Sequence, residues 1–260
     1  MPTLTTEVTN IEINRDNFNV LLERLKDLAK VSNVIKFKID TDDTLIYAIK
    51  GSKTSVNVLK SYTLKTDDIF TVKEPITETL NWIVNEAGKF VKNLQFIRID
   101  HKISLKLSHR TIEDCEVRSA EIRNSRFRLR VEIGDSDEIM NITKEQLSEQ
   151  LRKDRRSWGF SVSPSDFTDI KKLSSINSSD ANRVLYLDVE EKNVKISERN
   201  IWELIVDEVE EEENHLIFNK AFLGFINETG VSIEFNVFPN FIFIEDDDSN
   251  LMISFEQDFS

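Results

Sequence analysis

Two stretches of the chain read as versions of one another. Phe37–Ile49 (FKIDTDDTLIYAI) and Leu185–Ser197 (LYLDVEEKNVKIS) each set an acidic turn between apolar, strand-forming residues. Superposed, Ile39 meets Leu187, Asp40 meets Asp188, Asp42 meets Glu190, Asp43 meets Glu191, Ile46 meets Val194 and Ala48 meets Ile196, an offset of 148 residues. The helix-opening Phe18 and Phe167 differ by 149. Self-similarity at a fixed long period is the mark of a duplicated unit. A chain of 260 residues has room for two such units, each long enough to bury a core of its own.

The pattern of apolar residues says what each unit contains. A weakly alternating strand over residues 5–13 is followed by an amphipathic helix over 16–31. Its Phe18, Leu21, Leu22, Leu25 and Leu28 recur on one face. Strands follow over 34–40, 44–50 and 55–64. Pro75 opens a second helix with a stripe of Leu80, Ile83, Val84, Ala87 and Val91, since proline is favoured where a helix's first N–H has no partner. Strand patterns run from Gln95 to Ile133, with Arg126, Arg128 and Arg130 alternating against Phe127, Leu129, Val131 and Ile133.

Residues 134–156 are polar and hold one short helix, opened by a Thr143–Gln146 capping box. The plan then restarts with a strand over 158–162. A helix follows, capped by Ser163 with Pro164 first, and Phe167, Ile170, Leu173 and Ile176 form its apolar side. Further strands cover 183–189, 193–197, 202–209 and 215–218. A short helix over 219–226 precedes the last strands, 231–237, 241–245 and 251–256. The domains expected are therefore 1–134, a connector 135–156, and 157–260.

Composition excludes several classes of function. Only 6 glycines and 4 prolines are too few for glycine-rich phosphate loops or long flexible linkers. One cysteine, Cys115, allows no intrachain disulfide and points to a reducing compartment. A polar start without a signal peptide, and no apolar run near membrane-spanning length, predict a soluble, cytoplasmic protein. His101, His109 and His215 are scattered without metal-ligand spacing, and no nucleophile elbow, Walker or dinucleotide motif occurs. No catalytic residue, metal or cofactor is expected. The net charge of −13 argues against a surface that is basic throughout, but not against lysines gathered on one face.

The order strand, helix, strands, helix, strands in both halves resembles the DNA sliding clamps, among them proliferating cell nuclear antigen and the clamps of large tailed phages. The helix start Ser163-Pro164-Ser165-Asp166-Phe167 with Lys171-Lys172 looks like their second-domain helix. Phe238-Pro239 and the run Asn250–Glu256 look like their last hairpin and tail. The resemblance implies an α+β fold of two repeated clamp domains, each with two helices packed on antiparallel sheets. It implies a non-enzymatic homotrimeric ring around double-stranded DNA, a processivity factor for a DNA polymerase, placed by a clamp loader. For a viral clamp, the compartment is the host cytoplasm.

Holding a duplex while moving along it needs attraction to phosphates without base readout. On the helices' polar faces stand Lys26 and Lys30, Lys89 and Lys92 (beside Asn81 and Asn85), Lys171 and Lys172, and Lys220. Acids concentrate elsewhere, in Asp207–Glu213 and Glu245–Asp248, where hairpin tips are expected. Each lysine also reads as an ordinary solvated helix position. The cluster Arg152-Lys153-Arg155-Arg156 suits either DNA contact or the negative end of the connecting helix. By resemblance, a partner-peptide pocket falls on Ile139, Met140, Phe238, Pro239 and Phe255; the phenylalanines equally suit a core. Subunit edges are expected within 111–133 of one copy and 193–209 of the next. Two other readings stand beside the clamp: an oligomeric structural protein that binds no DNA, and a hydrolase using Asp40 and Asp188.

Overall fold

The computed structural model describes residues 5–51, 56–72, 76, 79–99, 101–112, 115–133, 140, 142–176, 184–198, 201–211, 213–228, 230–246 and 248–256. The chain forms two compact units, Met1–Thr54 with Lys60–Asn141, and Ser55–Leu59 with Ile142–Ser260.

In the first unit the elements are β1 (Thr5–Ile13), α1 (Phe18–Val31), β2 (Ile35–Ile39), β3 (Asp43–Gly51), β4 (Val56–Lys65, of which residues 56–59 count with the second unit), α2 (Thr66–Ile69), β5 (Phe70–Val72), β6 (Leu80–Val84), α3 (Ala87–Leu94), β7 (Ile103–Ile112), β8 (Cys115–Arg123) and β9 (Arg128–Ile133). Its strands lie in the order β4-β3-β2-β6-β9-β8-β7-β1-β5. The stripe foreseen on α1 is buried in full, from Phe18 through Leu28 to Val31. Each such side chain contributes about 1.5–3 kcal/mol by leaving water. The helix rests on β2 and β3 and packs against α3. Phe37 of β2 stacks on Trp82 of β6 at 4.4 Å, and Trp82 meets Phe90 of α3 edge-on.

One polar contact crosses this packing. Lys60 of β4, 1% exposed, forms an ion pair with Asp27 of α1, and Tyr62 Oη donates to the same carboxylate at 2.5 Å. Burial alone would raise the Asp27 carboxyl. The Lys60 and Tyr62 hydrogen bonds outweigh it and leave the group below its ordinary value.

The second helix differs from the sequence expectation. Leu80–Val84 is a strand, paired to β2 from Ile35↔Val84 to Ile39↔Leu80, and α3 begins only at Ala87. Trp82, Ile83 and Val84 are all buried. A strand covered on both faces shows a continuous apolar run, which helical spacing also fits. Asn81 therefore sits on β6 and Asn85 in the turn before α3, so neither shares a helix face with Lys89 and Lys92; Pro75 lies outside the described residues. Residues 95–99, expected in a strand, form the loop after α3, and Arg126 stands in the β8–β9 turn.

The second unit contains α4 (Lys144–Gln150), a 3-10 turn (Lys153–Arg155), β10 (Trp158–Val162), α5 (Pro164–Ile176), β11 (Val184–Glu190), β12 (Asn193–Glu198), β13 (Trp202–Glu208), β14 (Asn214–Asn219), a 3-10 helix (Lys220–Phe225), β15 (Ile233–Val237), β16 (Phe241–Glu245) and β17 (Ser249–Ser254). Both expected caps form: Thr143 and Gln146 exchange hydrogen bonds at α4, and Ser163 Oγ accepts from Asp166 N at 3.1 Å. Within α5 the buried side is Phe167, Ile170 and Ser174, while the expected Ile176 is 72% exposed. The fourth helix is 3-10, capped by Asn219.

Strands β10-β15-β16-β17 form one sheet of this unit, and β13-β12-β11-β14 form a second. Ser161 N donates to the Asp207 carboxylate at 2.7 Å and Glu256 N to Ile217 O at 2.8 Å, tying the two sheets together. The buried Glu198, 1% exposed, accepts from Trp202 Nε1 at 3.2 Å and Lys220 Nζ at 3.1 Å. The run Asp207–Glu213 is not a hairpin tip: it joins β13 and β14, at opposite edges of their sheet, whereas Glu245–Asp248 does turn between β16 and β17.

The two units repeat one plan. β1 pairs with β7 as β10 pairs with β15, β2 with β3 as β11 with β12, and β2 with β6 as β11 with β14. In the first unit the pair Val84↔Ile133 joins β6 to β9 and so makes one sheet. Ile39 pairs with Thr44 and Val189 with Val194, so the hairpins superpose at an offset of 150, not 148. A shift of two residues keeps every side chain on its own face, so both registers satisfy the same inward and outward pattern.

Replacing Asp27 by Ala is expected to cost about 3–5 kcal/mol in denaturant unfolding at neutral pH, because it strands a buried ammonium. Asp27 is more acidic folded than unfolded, so its stabilisation is full above the ordinary carboxylate range and fades as pH falls through the folded value. The Asp27→Ala protein should lack that share of the acid transition. Lys220→Ala, which strands Glu198, is expected to cost about as much.

Candidate nucleic-acid interface

α1 and α3 lie side by side in the first unit, with their leucine and phenylalanine stripes inward. Their outward lysines share one arrangement. Lys26 pairs with Glu23 at 2.6 Å, Lys30 with Asp27 at 3.3 Å, and Lys89 with Glu86 at 3.1 Å, each acid three residues earlier. Lys92 is exposed and has no ion pair among the described residues. The Lys26 and Lys89 pairs are exposed and worth about 0–1 kcal/mol, so a phosphate can displace the carboxylate at little cost, whereas Asp27 is already held by Lys60 and Tyr62.

In the second unit Lys172 repeats the pattern with Asp169 at 3.5 Å. Lys171 pairs with Glu228, and its ammonium stands 5.6 Å from the centre of the Phe167 ring. Lys220 differs from the rest. Its side chain is 16% exposed and its ammonium is engaged by the buried Glu198. Sequence alone does not separate it from the solvated lysines, because Glu198 is 22 residues away.

The basic cluster of the connector is largely neutralised where it stands. Arg152 pairs with Asp154 at 2.8 Å and with Glu149 at 3.6 Å, and Arg155 with Glu149 at 2.7 Å. Arg156 donates to Trp158 O at 3.0 Å. Its guanidinium lies so close over Gly159 that an added Cβ would stand 2.0 Å from Nη2.

Of the expected pocket residues, Ile139 lies outside the described residues. Met140, half-buried, belongs to the first unit, and its carbonyl accepts from Tyr47 Oη at 3.3 Å. The other three belong to the second unit. Phe238 is buried and stacks on Phe241 at 4.7 Å across a turn closed by Phe238 N to Phe241 O at 2.9 Å. Pro239 is exposed, and the half-buried Phe255 donates its N–H to Asn240 O at 3.1 Å.

The two aspartates of the hydrolase reading have unrelated surroundings. Asp40 accepts from Thr79, while Asp188 contacts His215 Nδ1 at 2.5 Å, with Tyr186 stacked on that imidazole. Among the described residues no group of three His, Cys, Asp or Glu side chains is placed to hold a metal ion. No described helix is long and apolar enough to cross a membrane.

No protein-family model and no curated protein sequence matches the chain. Solved structures do. The DNA polymerase sliding clamp of Bacillus subtilis aligns over 98% of this chain with a TM-score of 0.67 at 9% identity. The DNA polymerase III subunit beta of Pseudomonas aeruginosa aligns over 96% with a TM-score of 0.63 at 10% identity. The Helicobacter pylori beta clamp, in a crystal structure bound to a DNA ligase peptide, aligns over 98% with a TM-score of 0.61 at 12% identity. This chain covers 66%, 65% and 68% of those three chains respectively, about two thirds of their length. With two units that repeat one plan and a match along nearly its whole length, the chain has the α+β fold of the DNA sliding clamps.

Proposed function

We propose that this chain is a non-enzymatic sliding clamp, a ring that encircles double-stranded DNA irrespective of sequence and tethers a replicative DNA polymerase to it. The observation that carries the reading is the clamp fold over nearly all of the chain. The lysines on the outward sides of α1, α3 and α5 support it. Lys26, Lys89 and Lys172 are held only by weak one-turn pairs and Lys92 by none among the described residues, so they can turn to a phosphate backbone without fixing a duplex in one place. In this reading 1–134 and 157–260 are the clamp domains and 135–156 the connector. Three copies would close a ring of six domains, placed on DNA by a clamp loader in the cytoplasm, or in the host's cytoplasm for a viral clamp.

Two open strand edges suit such closure. β9 meets β6 only at Ile133 among the described pairings, which leaves Arg128–Glu132 without a strand neighbour on that side. β13 is the outer strand of its sheet and exposes Ile205. Pairing β9 of one copy with β13 of the next would cover both.

The ligase peptide on the Helicobacter pylori clamp suggests a peptide site here as well. In the second unit Pro239 and Phe255 are its proposed contacts, with Phe238 holding the turn that presents Pro239.

Light scattering should give about three times 30.2 kDa for the protein in solution. A monomer at micromolar concentration would contradict the ring. Replacing Lys26, Lys89 and Lys171 together by Ala should weaken retention on duplex DNA and flatten the salt dependence by about 0.9 for each phosphate no longer neutralised. A trimer whose retention and salt slope ignore these changes would overturn the assignment of these lysines to the duplex, and a trimer not retained on DNA at all would favour the oligomeric protein that binds none.

A further inference from the structure

The first unit carries a second basic surface, on the face of its sheet away from the core. There the pairing sets Asn10, Lys106, Glu121 and Arg130 in one row across four strands, and Glu12, Ser104, Arg123 and Arg128 in the next. Arg123 and Arg128 are direct cross-strand partners, an arrangement of like charges that costs stability. Glu121 offsets part of that cost, lying 3.2 Å from Arg128 Nε, 3.2 Å from Arg130 Nη2 and 3.9 Å from Arg123 Nη1. One carboxylate among three guanidiniums leaves positive charge over. Lys106 adds to it with no ion pair among the described residues, while Lys102 pairs with Glu12.

A cleft of about 560 Å³ opens here, lined by Thr9, Asn10, Lys102, Ser104, Lys106 and Arg123 among others. At its margin one side chain clasps two loops. Asn124 Nδ2 donates to Arg98 O at 3.3 Å, while Asn124 Oδ1 accepts from Arg126 N at 2.9 Å and Phe127 N at 2.8 Å. The clasp fixes beside the cleft the loop that carries Phe96, 72% exposed, and Ile99, 44% exposed. Phe96 is the one aromatic among the exposed large apolar residues described, and Arg98 and Arg126 stand exposed near it in sequence and through the clasp.

We infer that this cleft and Phe96 bind a single DNA strand, with phosphates on Lys102, Lys106 and Arg123 and a base stacked on the Phe96 ring. Surfaces for single strands combine a cationic groove with an exposed aromatic face, and both are present here. The amide of Asn10 and the hydroxyl of Ser104 suit sugar and phosphate oxygens. An acidic peptide would meet the same cations but leave the ring unused. None of these residues is among the helix lysines assigned to the duplex, so the inference stands or falls separately from the ring.

Fluorescence anisotropy of a labelled oligothymidylate, titrated with the full chain at low and raised salt, tests it. Saturable binding that weakens with salt is expected. Lys106→Ala with Arg123→Ala should cut affinity at least tenfold and reduce the salt slope. Phe96→Ala should cut it roughly fivefold to a hundredfold, the worth of one stacked base, and leave the slope unchanged. Unaltered thermal unfolding would show that these exposed changes spare the fold. In the Lys26, Lys89 and Lys171 background, Phe96→Ala should cause the same loss as in the parent. No saturable binding at low salt, wild-type affinity in Phe96→Ala, or tighter binding of an oligoglutamate competitor would each overturn the assignment.

Discussion

The seat of α1 on its sheet governs most of what the first unit can present. Apolar burial fixes the helix by its face, since rotating Leu21, Leu25 and Leu28 off β2 and β3 would expose them to water. The ion pair between Asp27 and the buried Lys60 fixes it by position, because an ammonium cut off from water needs its carboxylate in reach. Together they decide which residues of α1 face outward, and so where Lys26 and Lys30 stand. Tyr62 reinforces the lock from the same strand as Lys60. In the second unit Glu198 plays a similar part, holding Trp202 and Lys220 against one buried charge.

Charge is distributed at two strengths. On the helices Lys26, Lys30, Lys89 and Lys172 each meet a carboxylate one turn away, and for Lys26, Lys89 and Lys172 that pair is exposed and easily repolarised by a phosphate backbone. On the outer face of β7–β9 one nearly buried carboxylate is shared by three arginines, and the field is stronger and more local. A protein of net charge −13 can keep both surfaces because much of its acidic excess sits elsewhere, in the β13–β14 connection and the β16–β17 turn.

Much of the fold was legible in the sequence because one-sided burial writes a period. The α1 stripe, the strands β10 to β12 and both helix caps read directly from spacing and capping chemistry. β6 did not, since a strand buried on both faces has no alternation to show. The repeat was visible but two residues out of register at the hairpin, because a shift of two leaves the inward and outward pattern intact. The site was less legible. Lys220 has the side chain of a surface contact, yet Glu198, 22 residues away, draws it into packing that no local pattern records, while Phe238, open to either a pocket or a core from its sequence, is buried and stacks on Phe241. The cluster around Glu121 was half visible as alternating arginines on β9. The carboxylate that organises them comes from β8, and only the strand pairing brings it there.

The encirclement proposed for this protein is a topological property, and topology can be measured. After assembly on a nicked circular duplex the protein should remain with the DNA through gel filtration, and it should be lost once the circle is cut to a linear molecule. Equal retention on the circular and the linear DNA would contradict encirclement and leave only ordinary surface binding.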